Sequence, residues 1–184
     1  PDMQNPPVSP ILIFLVGARA SGKTTVGRAL ARRLGLPFVD TDAAVTSAAG
    51  KTVAAIVAAK GWPAFRQQES AALRATVAKY PQGAVIATGG GMVLAVENRR
   101  FMRERGVVFY LEATAPLLVA RLTCSPLASQ RPSLTGKGVA AEMKQVLAHR
   151  APLYLEAAHH RLDAALPLEH LCEAAAALLP PAAE

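Results

Sequence analysis

The segment Gly17-Ala18-Arg19-Ala20-Ser21-Gly22-Lys23-Thr24 spells G-x-x-x-x-G-K-[ST] and directly follows an apolar run, Ile11 to Val16. The backbone N–H groups of such a turn point inward and hold phosphate oxygens. The helix that opens after it adds a partial positive charge, Lys23 adds a full one, and the Thr24 hydroxyl can ligate Mg2+. Gly17 through Thr25 are therefore the expected nucleotide-binding residues, and the expected ligand is a nucleoside triphosphate. Aspartate is scarce: between Asp2 and Asp163 only Asp40 and Asp42 occur, one residue apart. Such residues often close turns or cap helices. Beside a phosphate loop, one carboxylate can hold Mg2+ directly or through water while the other faces an acceptor hydroxyl. An alcohol is too weak an acid to ionise first, so the carboxylate would orient it and take its proton late in phosphoryl transfer. Gly89-Gly90-Gly91 exceeds what a tight turn needs and suggests close approach of backbone to a ligand.

These residues need elements to position them. Ile11–Val16 reads as a buried strand and Lys23–Leu34 as an amphipathic helix stopped by Gly35 and Pro37. Phe38-Val39 is a short strand ending at Asp40-Thr41-Asp42, and a helical region follows. Thr52 can cap a helix over Val53–Lys60 that Gly61 stops. A second helix is expected from about Pro63 to Lys79, with Phe65, Ala72, Leu73 and Val77 inward, ending at Tyr80-Pro81. Gly83–Thr88 is a third strand running into the triple glycine. Glu97–Arg105 is a charged helix, Val107–Leu111 a fourth strand, and Pro116 starts the helix that carries Arg121. The segment from Thr123 to Gly138 loses periodicity and is long for a connection, which favours a functional flap. Val139–Arg150 is helical, Pro152 is expected to kink or restart the chain, Arg161–Ala164 is a last edge strand, and Leu168–Leu179 is an apolar helix. Alternating strands and helices predict a parallel sheet covered on both faces, with ligands beyond the carboxyl ends of its strands. The phosphate loop, the aspartates and the triple glycine all follow predicted strands, so they should converge.

At 184 residues a single domain is expected over about 11–180, after a disordered lead-in at 1–10 that holds four prolines, with Met3 the expected natural start. The apolar fraction of 52% with only 5% aromatic residues suits a helix-rich α/β protein. No apolar run approaches a membrane span and no signal peptide shows, so a cytoplasmic protein without a membrane partner is expected. Cys124 and Cys172 are too few for a disulfide framework. The formal charge of +7 comes with 14 Arg against 6 Lys, dispersed rather than clustered and without interleaved aromatics. That pattern fits phosphate and carboxylate ligands better than nucleic acid, which is not expected as a partner. His149, His159, His160 and His170 have no metal-ligand spacing. Trp62 and Phe65 read as core or pocket wall.

The loop Gly-Ala-Arg-Ala-Ser-Gly-Lys-Thr-Thr-Val-Gly, Phe-Val-Asp-Thr-Asp at 38–42, Trp-Pro-Ala-Phe-Arg at 62–66 with Glu69, Ala-Thr-Gly-Gly-Gly at 87–91, Arg-Pro-Ser-Leu-Thr-Gly at 131–136 and Arg-Ala-Pro-Leu-Tyr at 150–154 together resemble the shikimate kinase family, closest to its type II isoform. The order and spacing cover Ile11 to Asp163. The resemblance implies a P-loop kinase three-layer fold with a five-stranded parallel sheet, an acceptor-binding region at about 40–80 and a mobile lid at about 123–138. It implies a phosphotransferase with an alcohol acceptor: ATP-dependent phosphorylation of the 3-hydroxyl of shikimate, with Mg2+, in chorismate and aromatic amino acid biosynthesis, by a chain expected to be a monomer. By the same resemblance Arg66 and Arg150 grip the shikimate carboxylate, and Gly89, Gly90 and Gly91 offer backbone to the substrate. Asp42 faces the acceptor hydroxyl, Asp40 joins Thr24 near the metal, and Lys23 serves transfer. Arg131 swings over the transferring phosphoryl, and Arg121 packs on the adenine ring against the alternative of an ordinary helix-surface arginine.

One departure concerns the loop itself, where the family pattern G-x-x-G-x-G-K meets Ala20 at its middle glycine. If that position requires positive φ, alanine costs on the order of 1 kcal/mol there, which weakens nucleotide binding without abolishing it. The rival enzymes are other small P-loop kinases acting on gluconate or a nucleoside monophosphate. A rival of another class is a nucleotide-sensing or nucleic-acid-binding module that performs no transfer.

Overall fold

A computed structural model describes residues 10–124 and 133–181. Five parallel strands form one sheet in the order β2-β3-β1-β4-β5. β1 (Ile11–Val16) lies at its centre, between β3 (Gly83–Ala87) and β4 (Val107–Glu112), with β2 (Phe38–Asp40) and β5 (His160–Asp163) at the edges. The inner strands are apolar on both faces, as a parallel sheet covered by helices requires. Their side chains, Ile13 to Val16, Ala84 to Ile86 and Val108 to Leu111 among them, form the main core. The register matters most for function: Leu15 pairs Ala87, and Ala87 pairs Asp40. Three chain segments therefore leave the sheet at one level, side by side, at the carboxyl edge where the strand order reverses about β1.

α1 (Lys23–Leu34) opens after the glycine-rich turn and closes at Gly35 in the left-handed conformation. Its last turn carries Arg32 and Arg33, which suit the negative end of the helix dipole. α2 (Thr41–Ala49) begins immediately after β2, so Asp42 stands in the first turn of a helix rather than in a strand-end loop. α3 (Val53–Lys79) is capped by the Thr52 hydroxyl, which accepts from Ala55 N at 3.1 Å. It holds a kink at Gly61, whose φ of 79° and ψ of 170° are not helical, so Pro63 falls just past the break. The expected division at Gly61 is thus present, as a bend between two helical runs. Val45, Val53, Ile56 and Phe65 pack into a small second core that joins α2 to α3 beside the main one.

A 3-10 turn (Met92–Leu94) leads into α4 (Val96–Arg105), and α5 (Ala115–Thr123) carries Arg121. α6 runs without interruption from Val139 to Ala157 and contains Pro152. The expected kink or restart there is corrected: Tyr154 and Ala157, beyond the proline, are fully buried and hold the last turns in place. α7 (Leu168–Ala177) returns along α1. His159 is structural, its Nδ1 accepting from Val108 N at 3.0 Å on the edge of β4. Burial, with Arg103 and His160 nearby, pushes its pKa down and favours that neutral acceptor. Among the described residues no helix is long and apolar enough to cross a membrane. Cys124 and Cys172 are free thiols. Residues 1–9 of the expected lead-in at 1–10 and the 125–132 part of the expected lid, with Arg131, lie outside the described residues.

Candidate active site

The loop after β1 is built as an anion cradle. α1 starts at Gly22 with no side chain capping its first N–H groups and no acidic residue in its first turn, which leaves those donors for a ligand. Lys23 Nζ donates to the carbonyls of Gly17 at 2.9 Å and Ala18 at 2.8 Å, which folds the ammonium over the loop. Ala20 has φ 66°, the one non-glycine residue at positive φ among those described. The position does demand the left-handed conformation, and the alanine carries the strain expected of it. Arg121 crosses from α5 and donates to Ala20 O at 3.3 Å, Ser21 O at 3.1 Å and Ala164 O at 2.7 Å. It is no ordinary surface arginine. It ties the outer side of the loop to the turn after β5.

Asp40 uses both of its carboxylate oxygens. Its Oδ1 caps α2, accepting from Asp42 N at 2.9 Å and Ala43 N at 3.2 Å. Its Oδ2 accepts from Thr24 Oγ1 at 2.9 Å, so the two expected metal ligands face each other. No cluster of three or more His, Cys, Asp or Glu side chains occurs among the described residues. A pair of hard oxygen donors without an all-protein cage is the donor set that suits Mg2+, which keeps waters and takes phosphate oxygens as its remaining ligands.

The triple glycine explains itself once side chains are placed. A Cβ on Gly89 would lie 2.3 Å from Glu69 Oε1 and 2.6 Å from Asp42 Oδ1; one on Gly91 would lie 2.2 Å from the Arg66 guanidinium. A Cβ on Gly90 would meet Arg19 N at 3.5 Å and Arg150 Nη1 at 3.6 Å. Close approach is therefore real at Gly89 and Gly91, where the protein's own Asp42, Glu69 and Arg66 approach, while the distances at Gly90 are ordinary contacts. Thr41 and Thr88 fix this turn: Gly89 N donates to Thr41 Oγ1 at 3.1 Å, and Thr88 Oγ1 donates to Leu15 O at 2.9 Å.

Arg66 is held on three sides. It pairs with the buried carboxylate of Glu69 and lies over the rings of Trp62, 5.0 Å away, and Phe65, 5.5 Å away. Burial pushes the Glu69 carboxyl up, and the Arg66 and Arg150 cations pull against it without cancelling it. Trp62, Phe65, Arg66, Arg150, Gly90 and Gly91 line one cavity of about 190 Å³. Lys23, Thr24, Asp40, Asp42, Gly89 and Arg121 line another of about 1070 Å³. Arg19 and Gly90 border both, so the two spaces meet where the phosphate loop touches the triple glycine. Every expected site residue among those described falls on one cavity or the other, apart from Gly17 at the base of the loop. Thr41, Thr88, Glu69 and Tyr154 had no assigned role from sequence. For Glu69 and Tyr154 the spacing was readable: each lies one helical turn from an expected clamp arginine.

A central parallel sheet, a phosphate loop opening a helix, and a carboxylate-and-arginine pocket in front of it define a P-loop phosphotransferase. The shikimate kinase family model matches residues 19–177. Shikimate kinase 2 of Syntrophotalea carbinolica is 54% identical over 167 residues, covering 91% of this chain and 95% of that one. The structure of shikimate kinase from Acinetobacter baumannii in complex with shikimate superposes with a TM-score of 0.84 at 32% identity, covering 91% of this chain and 92% of that one. The chain belongs to the shikimate kinase family. A gluconokinase from Sinorhizobium meliloti, 20% identical with a TM-score of 0.53 over 92% of this chain and 91% of its own, shares the fold alone.

Proposed function

We propose that the protein transfers the γ-phosphoryl group of ATP to the 3-hydroxyl of shikimate, giving shikimate 3-phosphate and ADP, as a step toward chorismate and the aromatic amino acids. The observation that carries this reading is the junction of the two cavities. A phosphate cradle with Lys23 opens at Gly90 onto a smaller space flanked by two arginines and walled by Trp62 and Phe65. A small cyclic hydroxy acid fits that chemistry: its carboxylate between Arg66 and Arg150, its ring against the aromatic wall, its hydroxyl toward Asp42. The aromatic wall also favours a ring over the open polyol chain of gluconate.

In this reading the amides of residues 17–25 and Lys23 hold the β- and γ-phosphates, and Arg121, which lines the larger cavity, packs on the adenine. Thr24 and Asp40 would hold Mg2+, which supplies charge neutralisation on the phosphate oxygens. Asp42 orients the acceptor hydroxyl and takes its proton late, as the bond to phosphorus forms. Gly89 to Gly91 present backbone to the acceptor, and the region 40–80 is the acceptor-binding part of a single domain. Arg131 as an arginine over the transferring group, on a lid at 123–138, rests on the sequence pattern. We read the chain as a cytoplasmic monomer whose partners are ATP and shikimate, without nucleic acid or membrane. The test is an acceptor-screened assay of the purified protein with ATP and Mg2+. ADP should form with shikimate and stay at background with gluconate, AMP or no acceptor; turnover with one of those but not with shikimate would overturn the reading.

A further inference from the structure

Arg150 and Tyr154 stand four residues apart on α6, which stacks their side chains on one face of the helix. The Tyr154 ring is fully buried and lies against Tyr110 of β4, with centroids 5.1 Å apart and planes 28° from parallel. That stack fixes where the phenol points. Its hydroxyl donates to the Gly90 carbonyl at 2.6 Å, and the Arg150 guanidinium lies beside the same glycine, its Nη1 3.6 Å from where a Gly90 Cβ would stand. Burial pushes the phenol up to about 12, so the group keeps its proton, and its ability to donate, across the range in which enzymes work. Guanidinium, phenol and glycine carbonyl thus gather at one point between α6 and the exit of β3.

We propose that Tyr154 is a positioning residue for the acceptor, its hydroxyl locking the Arg150 guanidinium to the Gly90 backbone so that both present a fixed surface to the substrate. The proposal rests on the reading that Arg150 binds the acceptor carboxylate. A guanidinium carries five N–H donors, so one spent on the phenol leaves an edge of the fork for a carboxylate. A long side chain held in advance loses less freedom when the ligand arrives, and that saving appears as affinity. Support of this kind acts on the bound acceptor before and during transfer alike, so it moves the acceptor KM rather than kcat.

Tyr154→Phe keeps the ring and its stack on Tyr110 and removes only the oxygen. Its shikimate KM should rise about three- to tenfold, the loss of one buried hydrogen bond, while the ATP KM and kcat stay within about twofold. An unchanged shikimate KM overturns the proposal. So does an equal rise in both KM values, which is what a general loosening of the fold would give; melting temperature measured alongside identifies that case. Arg150→Ala, assayed in parallel, tests the underlying clamp separately: an unchanged shikimate KM there removes Arg150 as carboxylate ligand whatever Tyr154→Phe does. In the double variant the tyrosine effect should vanish on the Arg150→Ala background, and two effects that multiply would show that the phenol does not act through the arginine.

Discussion

Ala20 shows what a single residue can cost and what it leaves intact. At φ 66° its Cβ sits close to a carbonyl oxygen, a strain of roughly 1–2 kcal/mol that glycine would not carry. Glycine gives back part of that gain through its freer unfolded chain, of order 0.4–1 kcal/mol. Ala20→Gly should therefore stabilise the protein by about 0.5–1 kcal/mol, a rise of roughly 1–4 °C in melting temperature for a domain this size. A lower melting temperature by scanning calorimetry would show that the loop is not strained. Arg66 makes the opposite kind of contribution, a charge fixed by Glu69, Trp62 and Phe65 before any ligand arrives. Arg66→Ala should raise the shikimate KM by about 10- to 100-fold, the loss of hydrogen bonds to a charged partner, with the ATP KM nearly unchanged. Arg66→Lys should recover little of it, because an ammonium cannot offer the planar fork. Steady-state kinetics varying each substrate in turn separates these outcomes. Lys23→Ala belongs to the donor half and should instead cripple turnover.

At the scale of elements, the strands and their order of appearance were legible because each is a short apolar run bounded by glycine, proline or a charge. Their positions in the sheet were not, since nothing local says that β1 lies at the centre. α2 was hard to read for a related reason: Thr41–Ala49 is short and its amphipathicity weak, so the helix is defined by the Asp40 cap more than by an apolar stripe. Pro152 reads locally as a break, and only the burial of Tyr154 and Ala157 against the main core overrides it. The site residues were readable as types and spacings, whereas the sharing of Asp40 between cap and Thr24, and the packing of Gly89 and Gly91 against side chains, are products of tertiary register. α6 supplies another such product at its first turn. Glu142 collects hydrogen bonds from Ser133 Oγ, Leu134 N at 3.0 Å, and Thr135 N and Oγ1 at 3.3 and 3.1 Å, pinning segment 133–135 over the smaller cavity. Partial burial pushes this carboxyl up, but those donors outweigh it and hold it below its ordinary 4.5. A carboxyl depressed in the folded state stabilises the segment above its unfolded pKa and loses that contribution as pH falls through the folded value. Amide-exchange protection of Leu134 and Thr135 should therefore hold above the ordinary carboxyl value of 4.5 and fall away as the pH drops below it, ahead of Val85 and Ile86 in β3. Glu142→Gln should flatten that pH dependence; an identical profile in the variant would show that the carboxylate is not the anchor.

Across the whole molecule, folding and chemistry draw on different groups. The fold rests on a continuous apolar core spanning the sheet and its helices, with no cluster of three metal-ligating side chains among the described residues. The site, by contrast, gathers unscreened donors at the loop, the Thr24–Asp40 pair and two arginines at one edge of that sheet. A divalent cation held by Thr24, Asp40 and nucleotide phosphates would then matter to transfer and not to the architecture, because most of its ligands arrive with ATP. Chelation with excess EDTA should abolish ADP formation and leave the melting temperature of the ligand-free protein unchanged within about 1 °C, whereas a structural metal would take several kcal/mol of stability with it. Adding Mg2+ back should restore turnover fully. The same cation should raise the melting temperature only when ATP is also present, by the mass-action stabilisation that a ligand binding the native state alone confers. Stabilisation by Mg2+ in the absence of nucleotide would place the ion in a protein-built site and contradict its delivery with the triphosphate.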